Sequence, residues 1–204
     1  EKPTSFVMQP AYSGSKKIPP QNLRTNERAG NGGLLAPMLA YDNLTVDGLK
    51  YSGVKSKLSL GISRGSDSTG RFGEAEVYGF AQLPWDINLA GRIFYANTSE
   101  NTVGAVYYLG GFDSVRGLPD GIHYGNNIGY GNFEARIIAA RWKYVHIQPA
   151  VFIDSGSAWM KGEKITASRE TSLGAGVRIS IPQIYRFVIR LDYGVSVGKT
   201  KSRG

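Results

Sequence analysis

The sequence predicts an all-β protein: an antiparallel transmembrane β-barrel with about nine strands in this chain. Three observations carry that prediction. Apolar and polar residues alternate with a period of two through most of the chain, the signature of strands with one face in an apolar medium. Short turns (43–50, 84–86, 140–144, 182–186) alternate with long polar loops (13–34, 64–71, 98–126, 160–170), an asymmetry of membrane barrels. Aromatic residues collect at strand ends: Trp85, Trp142, Tyr144 and Tyr185 on the short-turn side, Tyr95 and Trp159 on the long-loop side, where amphipathic rings meet headgroups.

Taken in order, 5–12 reads as a short strand and 13–34 as a polar loop. Residues 35–42 alternate, and the chain turns at Asp47-Gly48. In 54–63, Val54, Leu58, Leu60 and Ile62 share a face opposite Lys55, Lys57, Ser59 and Ser63. In 73–83, Ala75, Val77, Ala81 and Leu83 oppose Glu74, Glu76, Tyr78 and Gln82. Leu83-Pro84-Trp85-Asp86 is a tight turn into 87–96, where Ile87, Leu89, Ile93 and Tyr95 oppose Asn88 and Arg92. After the long loop, 128–139 sets Phe133, Ala135 and Ile137 against Asn132, Glu134 and Arg136. Strand 145–154 sets Val145, Ile147, Val151 and Ile153 against His146, Gln148 and Asp154. Strands 172–181 and 187–198 place Val177, Ile179, Ile189 and Leu191 on one face and Arg178, Arg190 and Asp192 on the other. No segment has helical periodicity.

Most of these strands meet the ~9–11 residues needed to cross a bilayer at a tilt. A soluble sandwich accommodates the same alternation, and its outer face also welcomes charges; the loop asymmetry favours the membrane reading. The aliphatic set should then face lipid, and Lys57, Glu76, Arg92, Glu134, Asp154, Arg178 and Arg190 should face inward.

Composition bounds the chemistry. With no cysteine among 204 residues there is neither a disulfide frame nor a thiolate zinc site. No run approaches the ~20 apolar residues of a membrane helix. A mean hydropathy of −0.24 suits a soluble protein and equally a barrel, in which alternate residues face lipid. The N-terminus lacks a signal-peptide core, so any signal has been removed or the chain is a segment. The net charge of +8 sits largely in loops without interleaved aromatics, which argues against single-stranded nucleic acid. The plain reading of these charges is a solvated surface, and if they have a partner an anionic membrane surface is the better one. The two histidines, His123 and His146, lie on separate elements, and no metal cluster or catalytic triad spacing is present. The glycines of 125–132 precede no helix, so they form no phosphate loop; they relieve crowding where the long loop packs inside.

The loop at 98–126 contains Gly110-Gly111-Phe112-Asp113-Ser114-Val115-Arg116-Gly117-Leu118. Arginine presents a planar fork suited to carboxylates. Glu134 and Asp154 share the parity of the inward residues on the next two strands. The loop can therefore set Arg116 between them. The competing arrangement leaves Arg116 in solvent and pairs Glu134 with Arg136.

Val115-Arg116-Gly117-Leu118, followed by Asn132-Phe133-Glu134-Ala135-Arg136 and Phe152-Ile153-Asp154-Ser155-Gly156, resembles the outer-membrane assembly-factor superfamily. This group holds the BamA- and TamA-like insertases and the two-partner-secretion transporters. Its loop reads Val-Arg-Gly followed by Phe or Tyr, so Leu118 departs from the pattern. The resemblance covers roughly residues 35–198 and implies the C-terminal half of a sixteen-stranded barrel, without the periplasmic POTRA domains. It implies a Gram-negative outer membrane, contact with outer-membrane lipid and lipopolysaccharide, client polypeptides, no cofactor and no enzymatic activity. Val115, Arg116, Gly117, Leu118, Glu134 and Asp154 would form the functional loop and its latch on the lumen wall. A passive pore or structural barrel is the alternative function. Nine crossings put the ends on opposite faces, so a further strand is expected after Lys199–Gly204; the resemblance implies about six more before residue 5, unless a second copy closes the barrel.

Overall fold

The computed structural model describes residues 6–7, 33–47, 49–64, 69–99, 106–184 and 188–197. The strands are β1 (Phe6–Val7), β2 (Gly33–Leu35), β3 (Met38–Asp42), β4 (Thr45–Asp47), β5 (Lys50–Arg64), β6 (Thr69–Gln82), β7 (Ile87–Thr98), β8 (Tyr107–Leu109), β9 (His123–Gly125), β10 (Asn127–Ile137), β11 (Ala140–Arg141), β12 (His146–Trp159), β13 (Glu170–Ser180) and β14 (Val188–Ser196). One 3₁₀ turn, Ile165–Ser168, interrupts the loop expected at 160–170. Twelve strands form one antiparallel sheet whose path runs β1-β3-β5-β6-β7-β10-β12-β13-β14, with β2, β4 and β11 beside it. Strands β8 and β9 pair separately, as a small hairpin inside the long loop.

The sheet is open. Its path ends at β1 on one side and β14 on the other, and no ladder joins these two edges among the described residues. This corrects the expected closed barrel, and with it the count of sixteen. Alternation reports which face each residue takes. Closure depends on strand number, tilt and shear across the whole sheet, and alternation carries none of these. Residues 8–32, Tyr185 and 198–204 lie outside the described residues, and so do most of the expected strand at 5–12 and the expected final loop.

The two faces separate cleanly. Val54, Leu58, Leu60, Ile93, Ile137, Val151, Ile189 and Leu191 are exposed on one face, and no second sheet covers them among the described residues. Glu134, Asp154 and Arg178 are buried on the other face, under the loop. The exposed aliphatic rows suit lipid contact. Ile93→Arg, at a position 68% exposed in mid-strand, should therefore destabilise folding into lipid vesicles by about 2–4 kcal/mol. Urea titration in vesicles reads this directly; an unchanged midpoint would remove the wall from the bilayer.

The turns explain how the inner face is covered. At 84–87 the central residues Trp85 and Asp86 both take φ of 60°, the geometry of a type I′ hairpin, with Ile87 N donating to Pro84 O at 3.4 Å. Trp85 is left 84% exposed at the tip. The expected turn at 43–50 is the tip of a hairpin, with Asp47 opposite Lys50 and Thr45 opposite Ser52. Gly53 sits at φ +110°, and a Cβ there would press on Asn43 O, so only glycine fits. Beyond this kink the hairpin lies over the inner face. Leu49 is buried, Gln148 Nε2 of β12 donates to Leu49 O at 3.1 Å, and Asn88 Nδ2 of β7 donates to Tyr51 O at 2.6 Å.

Candidate functional site: the arginine loop on the inner wall

The loop folds as its turn chemistry demands. Gly110, Gly111 and Gly117 have φ of +116°, +79° and +83°. The Ser114 hydroxyl closes the bend, accepting from Gly110 N and donating to Gly110 O, each at 2.8 Å. Gly111 N donates to Leu118 O at 3.1 Å. Wall residues then grip the loop backbone. Asn132 Nδ2 donates to Ser114 O at 2.7 Å, and Arg92 Nη1 donates to Asp113 O at 2.6 Å. Arg92 is itself held by Glu76, Nε to Oε1 at 2.8 Å, and lies over the Tyr130 ring.

Val115 and Leu118 anchor the loop by burial. They pack with Phe94, Leu109, Ile128 and Tyr130 in the one apolar cluster of the inner face among the described residues. Leu118 fills the place where the resemblance implied an aromatic ring. Between these anchors, Arg116 points into the wall.

Arg116 is 5% exposed and Asp154 is fully buried. The guanidinium meets Asp154 as a fork: Nε to Oδ2 at 2.7 Å and Nη2 to Oδ1 at 2.8 Å. The Arg116 backbone N adds a third bond to Asp154 Oδ2 at 3.1 Å. Nη1 is shared between Glu134 Oε2 at 2.8 Å and Asp192 Oδ2 at 3.0 Å. The Phe152 ring lies beneath, 3.5 Å from Arg116 Cζ, a stacked cation–π contact. Burial works against the Arg116 charge, but the hydrogen bonds it donates to Asp154 and Glu134, and then to Asp192, hold its pKa above the usual arginine value.

Three further arginines complete the network. Arg178 reaches Glu134 Oε1 at 2.7 Å and Asp192 Oδ1 at 2.6 Å. Arg136 Nε donates to Glu134 Oε1 at 2.6 Å, so Glu134 has the neighbour pairing as well as the loop. Arg190 Nη2 lies 2.6 Å from Asp192 Oδ2 and its guanidinium sits over Phe112. Four guanidinium groups thus face three carboxylates, and no carboxylate is left unpaired, the condition under which buried charge is tolerated.

Gly117 brings the loop tip onto β14. A Cβ at Gly117 would run into the Gly194 carbonyl, and one at Gly194 would meet Arg116 O at 3.1 Å. Backbone lies on backbone here. The structure therefore brings together Val115, Arg116, Gly117, Leu118, Glu134 and Asp154. It adds Asp192, Arg178 and Phe152, to which the sequence reading gave no role in the latch. Asp192 was visible as an inward residue of its strand, but it lies 76 positions from Arg116, and only the long-range strand pairing joins them. Of the glycines in 125–132, Gly125 is crowded, against the Trp159 backbone, whereas the nearest atom to a Cβ at Gly129 or Gly131 is 3.7 Å away.

The arrangement can hold a loop against a wall; it presents no nucleophile with a base, and no group of residues suited to a metal ion occurs among the described residues. The family model for the Omp85 superfamily domain matches residues 21–204, a span that includes the loop and every residue of the network. No curated protein matches the chain.

Proposed function

We propose that this chain, which belongs to the Omp85 superfamily, is the membrane-embedded part of a factor that inserts polypeptides into the outer membrane or moves them across it. The superfamily serves outer-membrane protein biogenesis, and its members insert or conduct proteins and are not enzymes. The observation that carries the finer reading is Arg116, buried beneath three carboxylates on β10, β12 and β14. That network locks a loop to the wall without supplying any chemistry, as a device for physical work on a chain would require. A sheet whose first and last strands pair weakly exposes an edge, and a client strand can add along it. The loop braces the wall, including β14, while the edge is in use. Outer-membrane lipid, lipopolysaccharide and client polypeptides are the partners of this reading.

The test is client insertion by the full-length protein in proteoliposomes. Arg116→Ala should abolish most insertion while the protein remains membrane-integrated. Unchanged insertion together with altered ion conductance would favour a passive pore instead.

A further inference from the structure

We propose that His123 and Glu170 form a second fastening of the arginine loop, one that sets how deeply Arg116 seats. Both are positioning residues, and the inference rests on the latch reading above. His123 opens β9, on the limb leaving the tip, seven residues beyond Arg116. Its Nε2 lies 2.9 Å from Glu170 Oε1, and both side chains are about one-twentieth exposed. Glu170 belongs to the wall. It opens β13 and pairs with Gly156, while Ser172, two residues on, pairs with Asp154. The two fastenings therefore occupy adjacent inward positions of one wall, about 7 Å apart along the strand. The segment between Arg116 and His123 is pinned at both ends.

The surroundings say why this pair is placed there. His123 sits opposite Leu109 in the β8–β9 hairpin, and Leu109 belongs to the apolar cluster that holds Val115 and Leu118. An apolar side chain would fill such a site, and replacing a buried ionic or polar pair with one is often neutral or stabilising. What the polar pair adds is direction: one donor, one acceptor, one register. Nδ1 has no protein partner among the described residues, so the contact rests on Nε2 alone. Gly125, two residues on, lies against the Trp159 backbone and leaves the limb no room to slide.

Reach therefore decides which substitute works. The glutamine amide extends as far as Nε2, and the shorter asparagine amide does not. The experiment uses the full-length protein in membranes with Val115→Cys as its only cysteine, and reads maleimide labelling of that buried position. His123→Gln should label at the parental rate. His123→Asn and Glu170→Ala should label about ten-fold faster or more, the scale of a stranded buried hydrogen-bonding group, with the sheet still resistant to SDS without heating. The Asn–Gln contrast separates positioning from bulk packing, because both amides are polar and only one reaches. Parental labelling in both His123→Asn and Glu170→Ala would overturn the proposal. Labelling does not depend on client insertion, so this result is independent of whether the insertase reading stands.

Discussion

Arg116→Ala is expected to destabilise the folded protein by about 3–5 kcal/mol, the range for removing one partner of a buried ion pair, and to free the loop. The reason is uneven dependence. Glu134 keeps Arg136 and Arg178, and Asp192 keeps Arg178 and Arg190. Every hydrogen bond to Asp154 among the described residues comes from Arg116, so Asp154 is the charge left stranded. Arg116→Lys should recover only part of the loss, because a point charge cannot make the fork to Asp154 and still reach Glu134 and Asp192. Urea titration in vesicles and protease protection of residues 110–118 measure the two effects. A loss under about 1 kcal/mol, the scale of an exposed pair, would mean that the network is not buried in the membrane-folded protein.

Gly117→Val carries the second large effect. At φ +83° a β-branched residue is strained by about 1–3 kcal/mol. Its Cβ also collides with the Gly194 carbonyl, and overpacking of this kind adds about 1–3 kcal/mol. Gly162 provides the control: φ is +90° there, but nothing lies within 4 Å of a Cβ. Gly162→Val should show the backbone penalty alone. Equal losses at the two positions would mean that the loop tip does not rest on β14.

Much of this architecture is legible in the sequence because strand parity is a local property. Ile93 faces out and Glu134 faces in by the alternation of their own strands, and the register bears this out across β7 and β10. That parity plus a loop long enough to fold back allows the pairing of Arg116 with Glu134 and Asp154, and the resemblance of the Val-Arg-Gly loop is what favours it over an arginine left in solvent. What escaped the sequence is non-local. Whether the edge strands meet is a property of the whole sheet, and among the described residues the sheet is open. Asp192 joins the network through the pairing of β12 with β13 and of β13 with β14, which no local pattern carries. Glu170 reads as the end of a polar loop and His123 as an isolated histidine. Their contact spans 47 residues, and no periodicity links them. Gly53 stands just before the strand expected at 54–63 with nothing local to mark it, and the hairpin it turns inward shows only in the buried Leu49 and the Gln148 bond.

Arg116 should lock the loop to the wall through Asp154, and a double-mutant cycle on Arg116→Ala and Asp154→Ala, measured by equilibrium folding in vesicles, reads that lock. The pair should couple by more than about 1.5 kcal/mol, within the ~0.5–3 kcal/mol seen for residues sharing one network. Arg116→Ala with Lys50→Ala, whose ammonium is bound to Asp86 at the far turn, serves as the additive reference. Additivity of Arg116→Ala and Asp154→Ala to within about 0.5 kcal/mol would contradict the latch.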